Sequence, residues 1–263
     1  MSAFCARPRD ESPFFLLAAS PRQGGNTDTA VRLFLQGFSR AMQKQGNKRT
    51  KAPPHDAAYA DMPEATYLRS YRIEPCVSCN ACAASAQRIK HAASAETLLP
   101  ESAYAPFSAC PLTNRDDSSP LLSLLAGAAG LCIASPVYYY HLPAALKALI
   151  DRTQPFWALR DAGITPYSEK KPRTCYAILL AARSRGDRLF EGSLLTLKYA
   201  LRPLNIQLAE PLLLYGLDAP FALSGMPEAM RAVVAYGEEA GKARLQPCGG
   251  KDVAANPCGA LQA

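Results

Sequence analysis

Short apolar runs separated by amphipathic stretches form the main pattern of this chain. The runs at 14–19, 130–134 and 174–181 are apolar on both faces of an extended chain, which predicts buried strands of a parallel sheet. A roughly alternating run at 66–73 and a last apolar run near 206–215 predict two further strands. The pattern therefore predicts five strands.

Amphipathic helices are predicted between these strands. Apolar residues at helical spacing indicate helices over about 28–45, 119–129, 143–152 and 189–201. Strands that alternate with helices predict an α/β fold built on a doubly wound parallel sheet. Right-handed crossovers bring the loops after the first, third and fourth strands to one edge of that sheet. We expect the flavodoxin-like strand order 2-1-3-4-5, in which a ligand binds between the loops after strands one and three.

The sequence outside these elements predicts the domain organisation. An Ala- and Ser-rich stretch at 83–109 has no clear element of its own, which is typical of a functional loop, a lid or a disordered insertion. Glycine, proline and polar residues from about 241 onward indicate a flexible tail. We therefore expect a single domain over 1–240 that carries the 83–109 insertion, followed by a flexible tail over 241–263.

Composition and charge exclude some classes of partner. The net charge of +7 is spread along the 263 residues without a dense basic block, so we expect no nucleic-acid partner. No apolar run approaches the ~20 residues that span a bilayer, so we expect no membrane contact. The first apolar run follows Asp10 and Glu11 and is too short for a signal peptide, which favours a cytoplasmic protein. The nine cysteines of such a chain are not expected to form a disulfide scaffold.

The loop at 20–27, which we call the glycine loop, joins the first strand to the first helix. It contains Gly25 and the hydrogen-bond donors Ser20, Arg22, Asn26 and Thr27. A donor-rich loop that leads into the positive N-terminus of a helix is suited to bind a phosphate group. A plain strand-to-helix turn is the alternative interpretation, because serine, glycine and asparagine are ordinary turn residues.

Four cysteines form a separate candidate site. Cys76, Cys79 and Cys82 are spaced as C-x2-C-x2-C, and Cys110 precedes Pro111. Three thiolates on one tight loop can bind three corners of a [4Fe-4S] cluster, and Cys110 is the candidate fourth ligand. A zinc ion and free or redox-active thiols remain open as alternatives.

Three stretches carry a resemblance to a known family. The glycine loop, the stretch 134–152 and the cysteine motif at 76–82 resemble those of the NAD(P)H-dependent FMN reductases and iron–sulfur flavoproteins of the flavodoxin-like superfamily. The resemblance implies that Ser20, Arg22, Asn26 and Thr27 hold the phosphate of FMN. It also implies a homo-oligomer, in which a neighbouring subunit completes a shallow flavin face.

Two further loops are expected to contact the flavin. Pro136, Val137, Tyr138 and Tyr139 are similar to the family's loop beside the ribityl chain and the isoalloxazine ring, where a flat tyrosine ring can cover a flat face. Arg183, in the loop after the fourth strand, is expected to contact the flavin or the phosphates of a nicotinamide cofactor; a solvated basic loop is the alternative.

The expected activity follows from this resemblance. It implies an FMN-dependent oxidoreductase that passes electrons from NAD(P)H through bound FMN to a flavin, quinone, metal or protein acceptor. Because the cofactor supplies the chemistry, no catalytic residue of the protein is predicted. The alternatives are an iron–sulfur flavoprotein that relays electrons without oxidising NAD(P)H, and a cofactor-free binding module with a structural zinc site.

Overall fold

A six-stranded, fully parallel sheet forms the centre of the protein. The computed structural model describes residues 13–49, 63–94, 109–164 and 172–245. Its strands are β1 (Phe14–Ala18), β2 (Ala65–Tyr67), β3 (Gly130–Pro136), β4 (Arg173–Leu180), β5 (Ile206–Leu208) and β6 (Leu212–Leu214). Their order is β2-β1-β3-β4-β5, with β6 also paired to β4, which confirms the predicted flavodoxin-like order 2-1-3-4-5.

The described part of the chain contains seven α-helices, most of which pack on the two faces of this sheet. They are α1 (Asn26–Arg49), α2 (Ala81–Ser94), α3 (Ser118–Gly127), α4 (Ala144–Asp151), α5 (Gln154–Asp161), α6 (Glu191–Leu201) and α7 (Pro227–Leu245). Among the described residues, no helix combines the length and the apolar character needed to cross a bilayer.

The central strands β1, β3 and β4 are buried on both faces, so alternate residues of each of them enter different cores. On one face Phe15, Leu17 and Ile133 pack with apolar residues of α3, α4 and α6. On the other face Phe14 and Leu16 pack with residues of α1 and α7. This double burial explains why the strand sequences are continuous apolar runs rather than alternating ones.

Glycines allow α1 and α7 to pack closely on the second face. A Cβ atom on Gly37 would lie 1.9 Å from the carbonyl oxygen of Val234, and one on Gly237 would lie 2.1 Å from that of Phe34. A third glycine, Gly241, faces Ala41 in the same contact. Helix α7 was not predicted from the sequence, because these small residues interrupt the apolar stripe that marks an amphipathic helix.

Two predicted strands differ from the observed ones. The predicted strand at 66–73 ends at Tyr67, because Leu68–Ser70 form a 3-10 turn that carries Arg69 towards α1. The predicted strand at 206–215 is two short strands, β5 and β6, which pair with opposite ends of β4. Helix α5, which follows α4 after a short turn, was also missed.

The predicted insertion and tail are partly corrected. Helix α2 occupies the first part of the 83–109 stretch and packs on α5 through Ala86, Ile89 and Leu159. Its alanine content favours a helix, although its apolar periodicity is weak. The tail prediction is wrong over 241–245, which belong to α7. Residues 1–12, 95–108 and 246–263 lie outside the described residues.

Candidate functional site

The glycine loop lies at the carboxyl end of β1 and is ordered by its own hydrogen bonds. The Ala19 N–H donates to the Ala134 carbonyl (2.8 Å), which joins the ends of β1 and β3. The Ser20 hydroxyl accepts the Arg22 N–H (3.1 Å), and Gly24 has a φ of +72°, a conformation that favours glycine. The loop ends at the start of α1, whose first N–H groups lack partners within the helix.

A buried ion pair lies beneath this loop and was not anticipated from the sequence. Asp28 accepts the Gly24 N–H (2.7 Å) and forms two hydrogen bonds of 2.9 Å with Arg69. The Arg69 guanidinium also lies 4.4 Å from the centroid of the Tyr67 ring. Arg69 therefore neutralises a carboxylate that would otherwise repel an anion in the loop. The acidic residue in the first turn of α1 was the available sequence signal, but its partner is distant in sequence.

Asn26 connects the glycine loop to a segment near the end of the fold. Its side-chain amide donates to the carbonyls of Leu217 (3.1 Å) and Ala219 (2.8 Å), and its side-chain oxygen accepts the Leu223 N–H (3.0 Å). Both N–H bonds of this carboxamide are thus used within the protein. The Asn26 side chain therefore fixes the position of the helix start. The group of Asn26 that could bind an anion is its backbone N–H.

The tyrosine loop, residues 136–141, follows β3 at the same edge. Tyr138 and His141 exchange two backbone hydrogen bonds of 2.9 Å, which makes a tight hairpin with Tyr139 and Tyr140 at its tip. Both tip residues have positive φ values, +50° and +65°. Bulky residues rarely adopt this conformation, and such strain is concentrated at functional sites. Tyr139 is fully exposed.

The arginine loop, residues 182–187, completes this edge. The Arg183 guanidinium carbon lies 6.0 Å from the centre of the Tyr140 ring, and Gly186 lies beside the Tyr140 hydroxyl. His141, at the end of the tyrosine loop, is held by its neighbour and by α6: its Nδ1 accepts the Leu142 N–H (2.9 Å), and its Nε2 lies 3.1 Å from the Thr196 hydroxyl. Both ring nitrogens are therefore engaged, which supports a structural role for His141.

The structure thus brings the predicted flavin-contacting residues to the edge formed by the ends of β1, β3 and β4. Ser20 and Thr27 of the glycine loop are buried. Arg22 of the same loop and Arg183 of the arginine loop are exposed. Backbone N–H groups of Val137 and Tyr138 bond to Leu180 and His141, so they are not available to a ligand. At this edge the glycine loop supplies polar groups and the tyrosine loop supplies aromatic rings.

The four cysteines of the predicted metal site lie together in a different place. Cys76, Cys79, Cys82 and Cys110 line one cavity of about 450 Å³, which we call the thiol cavity. Helices α2 and α5 form much of its wall, and all four thiols are free. Burial raises the pKa of the Cys82 thiol, and the nearby Cys76 and Cys79 raise it further against the hydrogen bonds of two backbone N–H groups.

A second buried ion pair anchors the chain just before these cysteines. Arg152 contacts Asp116 (2.5 Å) with both side chains almost completely buried, and it donates to the Glu74 carbonyl (3.1 Å). Asp116 accepts the Glu74 N–H (2.8 Å) and the Ser118 hydroxyl (2.7 Å). Glu74 is thus held through both of its backbone groups. Neither partner was anticipated from the sequence.

The arrangement of the thiol cavity does not fit the predicted [4Fe-4S] cluster or a zinc ion. Within the described ranges, no three His, Cys, Asp or Glu side chains are grouped so that they could hold a metal ion. The four cysteines border one cavity, but this shared lining does not amount to a ligand set. We therefore derive no electron transfer through a cluster.

The strand order and the three loops at one edge of the sheet give the protein a flavodoxin-like fold. Comparison with known proteins agrees. Residues 14–172 match the family described as NADPH-dependent FMN reductase, and the chain belongs to this family. It is therefore an oxidoreductase of the NAD(P)H- and FMN-dependent class.

Solved structures show the same fold at low sequence identity. A flavone reductase is 10% identical with a TM-score of 0.55, over 88% of this chain and 62% of its own. The azoreductase AzrA is 13% identical with a TM-score of 0.50, over 88% of this chain and 100% of its own. The chain thus spans less than two thirds of the flavone reductase. No curated protein matches the sequence.

Proposed function

We propose that this protein passes electrons from NADH or NADPH through bound FMN to a small acceptor: a free flavin, a quinone, a metal ion or a redox protein. The observation that carries the proposal is the glycine loop. It combines buried hydroxyl groups, a glycine at positive φ and the start of a 24-residue helix at one point of the sheet edge. A phosphate dianion needs such a set of donors.

Named residues would hold FMN in this site. Ser20, Gly25, Thr27 and the first N–H groups of α1 would bind its phosphate, with Asn26 setting the position of the helix start. Arg22, exposed at the rim, would add a charge-assisted contact. When bound, FMN supplies the hydride and electron chemistry, and the protein orients it.

The aromatic end of the site would take the ring system. Pro136 and Val137 would run beside the ribityl chain, and Tyr138 and Tyr139 would lie against the isoalloxazine ring. Arg183 stands where it can contact the phosphates of a nicotinamide cofactor, since it is exposed and lies next to Tyr140. We propose no catalytic acid, base or nucleophile.

The experiment that tests this proposal compares FMN with riboflavin, which lacks the phosphate. Flavin binding measured by fluorescence quenching is expected to be much tighter for FMN. Thr27→Ala is expected to weaken FMN binding and to leave riboflavin binding unchanged. Ser39→Ala is the matched control, because the Ser39 hydroxyl donates to the Leu35 carbonyl (2.7 Å) further along the same helix. Equal affinities for the two flavins would refute phosphate binding by this loop.

Turnover is tested separately. The FMN-loaded protein is expected to oxidise NADH or NADPH when a quinone or free flavin is supplied, and the ratio of the two rates shows which nucleotide is preferred. FMN binding without nicotinamide oxidation by any such acceptor would reduce the function to electron transfer between proteins.

Domain organisation and assembly are part of the same proposal. We propose that residues 1–240 act as one flavin-binding domain and that the protein forms a homo-oligomer in which a second copy covers the exposed end of the flavin site. The full exposure of Tyr139 supports this arrangement. Sedimentation velocity of the wild type and of Tyr139→Ser tests it, with dissociation of the variant as the expected result. A monomeric wild type contradicts it. The predicted cytoplasmic location stays a prediction.

A further inference from the structure

The thiol cavity is a distinct feature of the described residues that the flavin site does not use. The described residues that line it include none from the glycine, tyrosine or arginine loops. Its volume of about 450 Å³ lies in the range of small-molecule sites. Four free thiols face it, although no grouping among the described side chains is suited to a metal ion. Its chemistry is therefore that of thiols.

Two of these cysteines occupy different environments at the start of α2. The backbone carbonyl of Asn80 accepts the Ala84 N–H (3.1 Å), which is the first hydrogen bond of the helix. The helix therefore begins between Cys79 and Cys82. Cys79 is exposed just before the helix, whereas Cys82 is half-buried in its first turn. A C-x2-C pair at a helix N-terminus is the arrangement that activates thiols for exchange with disulfides.

The loop that carries this pair is held in an unusual conformation. Ser78 and Asn80 have φ values of +53° and +61°, on either side of Cys79. The loop is anchored two residues before Cys76 by the buried pair of Arg152 and Asp116, which fixes both backbone groups of Glu74. Strained backbone and a buried ion pair persist where the surrounding structure fixes them, which is typical of a functional site.

We propose that Cys79 and Cys82 form a redox-active dithiol that reduces small-molecule disulfides admitted to the thiol cavity. The exposed Cys79 thiolate attacks one sulfur of the substrate disulfide, forms a mixed disulfide and releases one thiolate. The Cys82 sulfur then attacks Cys79, forms the Cys79–Cys82 disulfide and releases the second half of the substrate. The Cys82 proton passes to a released thiolate, so the dithiol is oxidised by two electrons and the substrate disulfide becomes two thiols.

Apolar and polar walls of the cavity suit such a substrate. Pro155 and Trp157 of α5 form one side, and Gln87 of α2 lies on the other. The substrate sulfur would enter between them and meet Cys79 first, since that thiol is the most exposed of the four. Cys76 and Cys110 border the same space but lie outside the C-x2-C pair.

The test uses the full-length protein as purified, with 2-hydroxyethyl disulfide as a neutral probe. Trypsin places Cys76, Cys79 and Cys82 in the peptide 73–88 and Cys110 in the peptide 91–115. The expected result is a peptide 73–88 that has lost two hydrogens in a Cys79–Cys82 disulfide. Cys82→Ser is expected to accumulate the mixed disulfide on Cys79, and Cys79→Ser to abolish both products.

Controls separate this result from misfolding and from metal binding. Cys76→Ser, a change in the same loop, is expected to retain the Cys79–Cys82 disulfide, and the unfolding midpoint of each variant reports its folding. Pairing of Cys110 with any cysteine of peptide 73–88 in place of the Cys79–Cys82 bond would overturn the proposal. So would bound metal or iron–sulfide that blocks alkylation of all four thiols in the anaerobically purified protein. Because the readout is peptide mass, either outcome leaves the flavin proposal intact.

Discussion

The glycine loop and the loop that carries Cys76 and Cys79 are each held by their own buried aspartate–arginine pair. In both pairs the aspartate accepts a backbone N–H. In the first pair, Arg69 keeps 19% of its side chain exposed and Asp28 4%; in the second, Arg152 keeps 3% and Asp116 none. The first pair neutralises a carboxylate beside the proposed phosphate site, whereas the second fixes the path of a loop. The same chemistry therefore stands beside the proposed phosphate site in one region and positions the backbone in the other.

The largest effect is expected from breaking the second pair. Arg152→Met leaves the Asp116 carboxylate buried without its cation, which should cost about 3–5 kcal/mol of unfolding free energy in urea titrations. Arg188→Met is the matched control, because the Arg188–Glu191 pair is exposed to solvent and its loss should change the unfolding free energy far less. Equal losses in the two variants would contradict the assignment of a buried anchor.

Breaking the first pair is expected to cost less stability but to affect flavin binding. Arg69→Met should lower the unfolding free energy by about 2–3 kcal/mol, less than Arg152→Met because Arg69 is partly solvated. The uncompensated Asp28 charge should also weaken FMN binding by about tenfold, or about 1.4 kcal/mol. Arg152→Met, in protein that remains folded, should leave the FMN affinity unchanged. Weaker FMN binding in Arg152→Met together with unchanged binding in Arg69→Met would contradict the roles assigned to the two pairs.

A smaller effect is expected at the contact between the glycine loop and the segment at 217–223. Asn26→Ala removes three hydrogen bonds and should lower the unfolding free energy by about 1–2 kcal/mol. Hydrogen exchange at the Leu223 N–H should become faster in this variant, because that group loses its acceptor. Ser39→Ala, on the same helix, should leave this exchange rate as in the wild type.

The smallest effect is expected from pH. Burial alone would raise the pKa of the Asp116 carboxyl, but hydrogen bonds from Ser118 and Glu74 and the charge of Arg152 together lower it below its ordinary value of 3.8. A carboxyl with a lowered folded-state pKa stabilises the fold above its unfolded pKa, and this contribution is lost as the pH falls through the folded value. Stability should therefore decline below about pH 4, and the decline should be shallower in Asp116→Asn. Parallel unfolding curves for the two proteins between pH 6 and 3 would contradict this.

The candidate sites differ in how far the sequence predicted them. The glycine, tyrosine and arginine loops were assigned to one sheet edge because crossover handedness and strand order follow from local patterns. The cysteine motif predicted metal ligation by Cys76, Cys79, Cys82 and Cys110; these residues line one cavity, and no grouping among the described side chains supports a metal ion there. Asp28 and Asp116 were missed because their partners are distant in sequence.

Local patterns in the chain determined the strand order, the sheet edge at which three loops meet and the chemistry of those loops. They could do so because burial on both sides of a parallel sheet leaves apolar runs, and turn residues mark where those runs end. The close approach of α1 and α7, the two buried ion pairs and the true extent of β2, β5 and β6 were decided only by the tertiary structure. Each of these features depends on contacts between residues far apart in the chain. Desolvation and steric fit set the free energy of such contacts, and a short stretch of sequence contains neither.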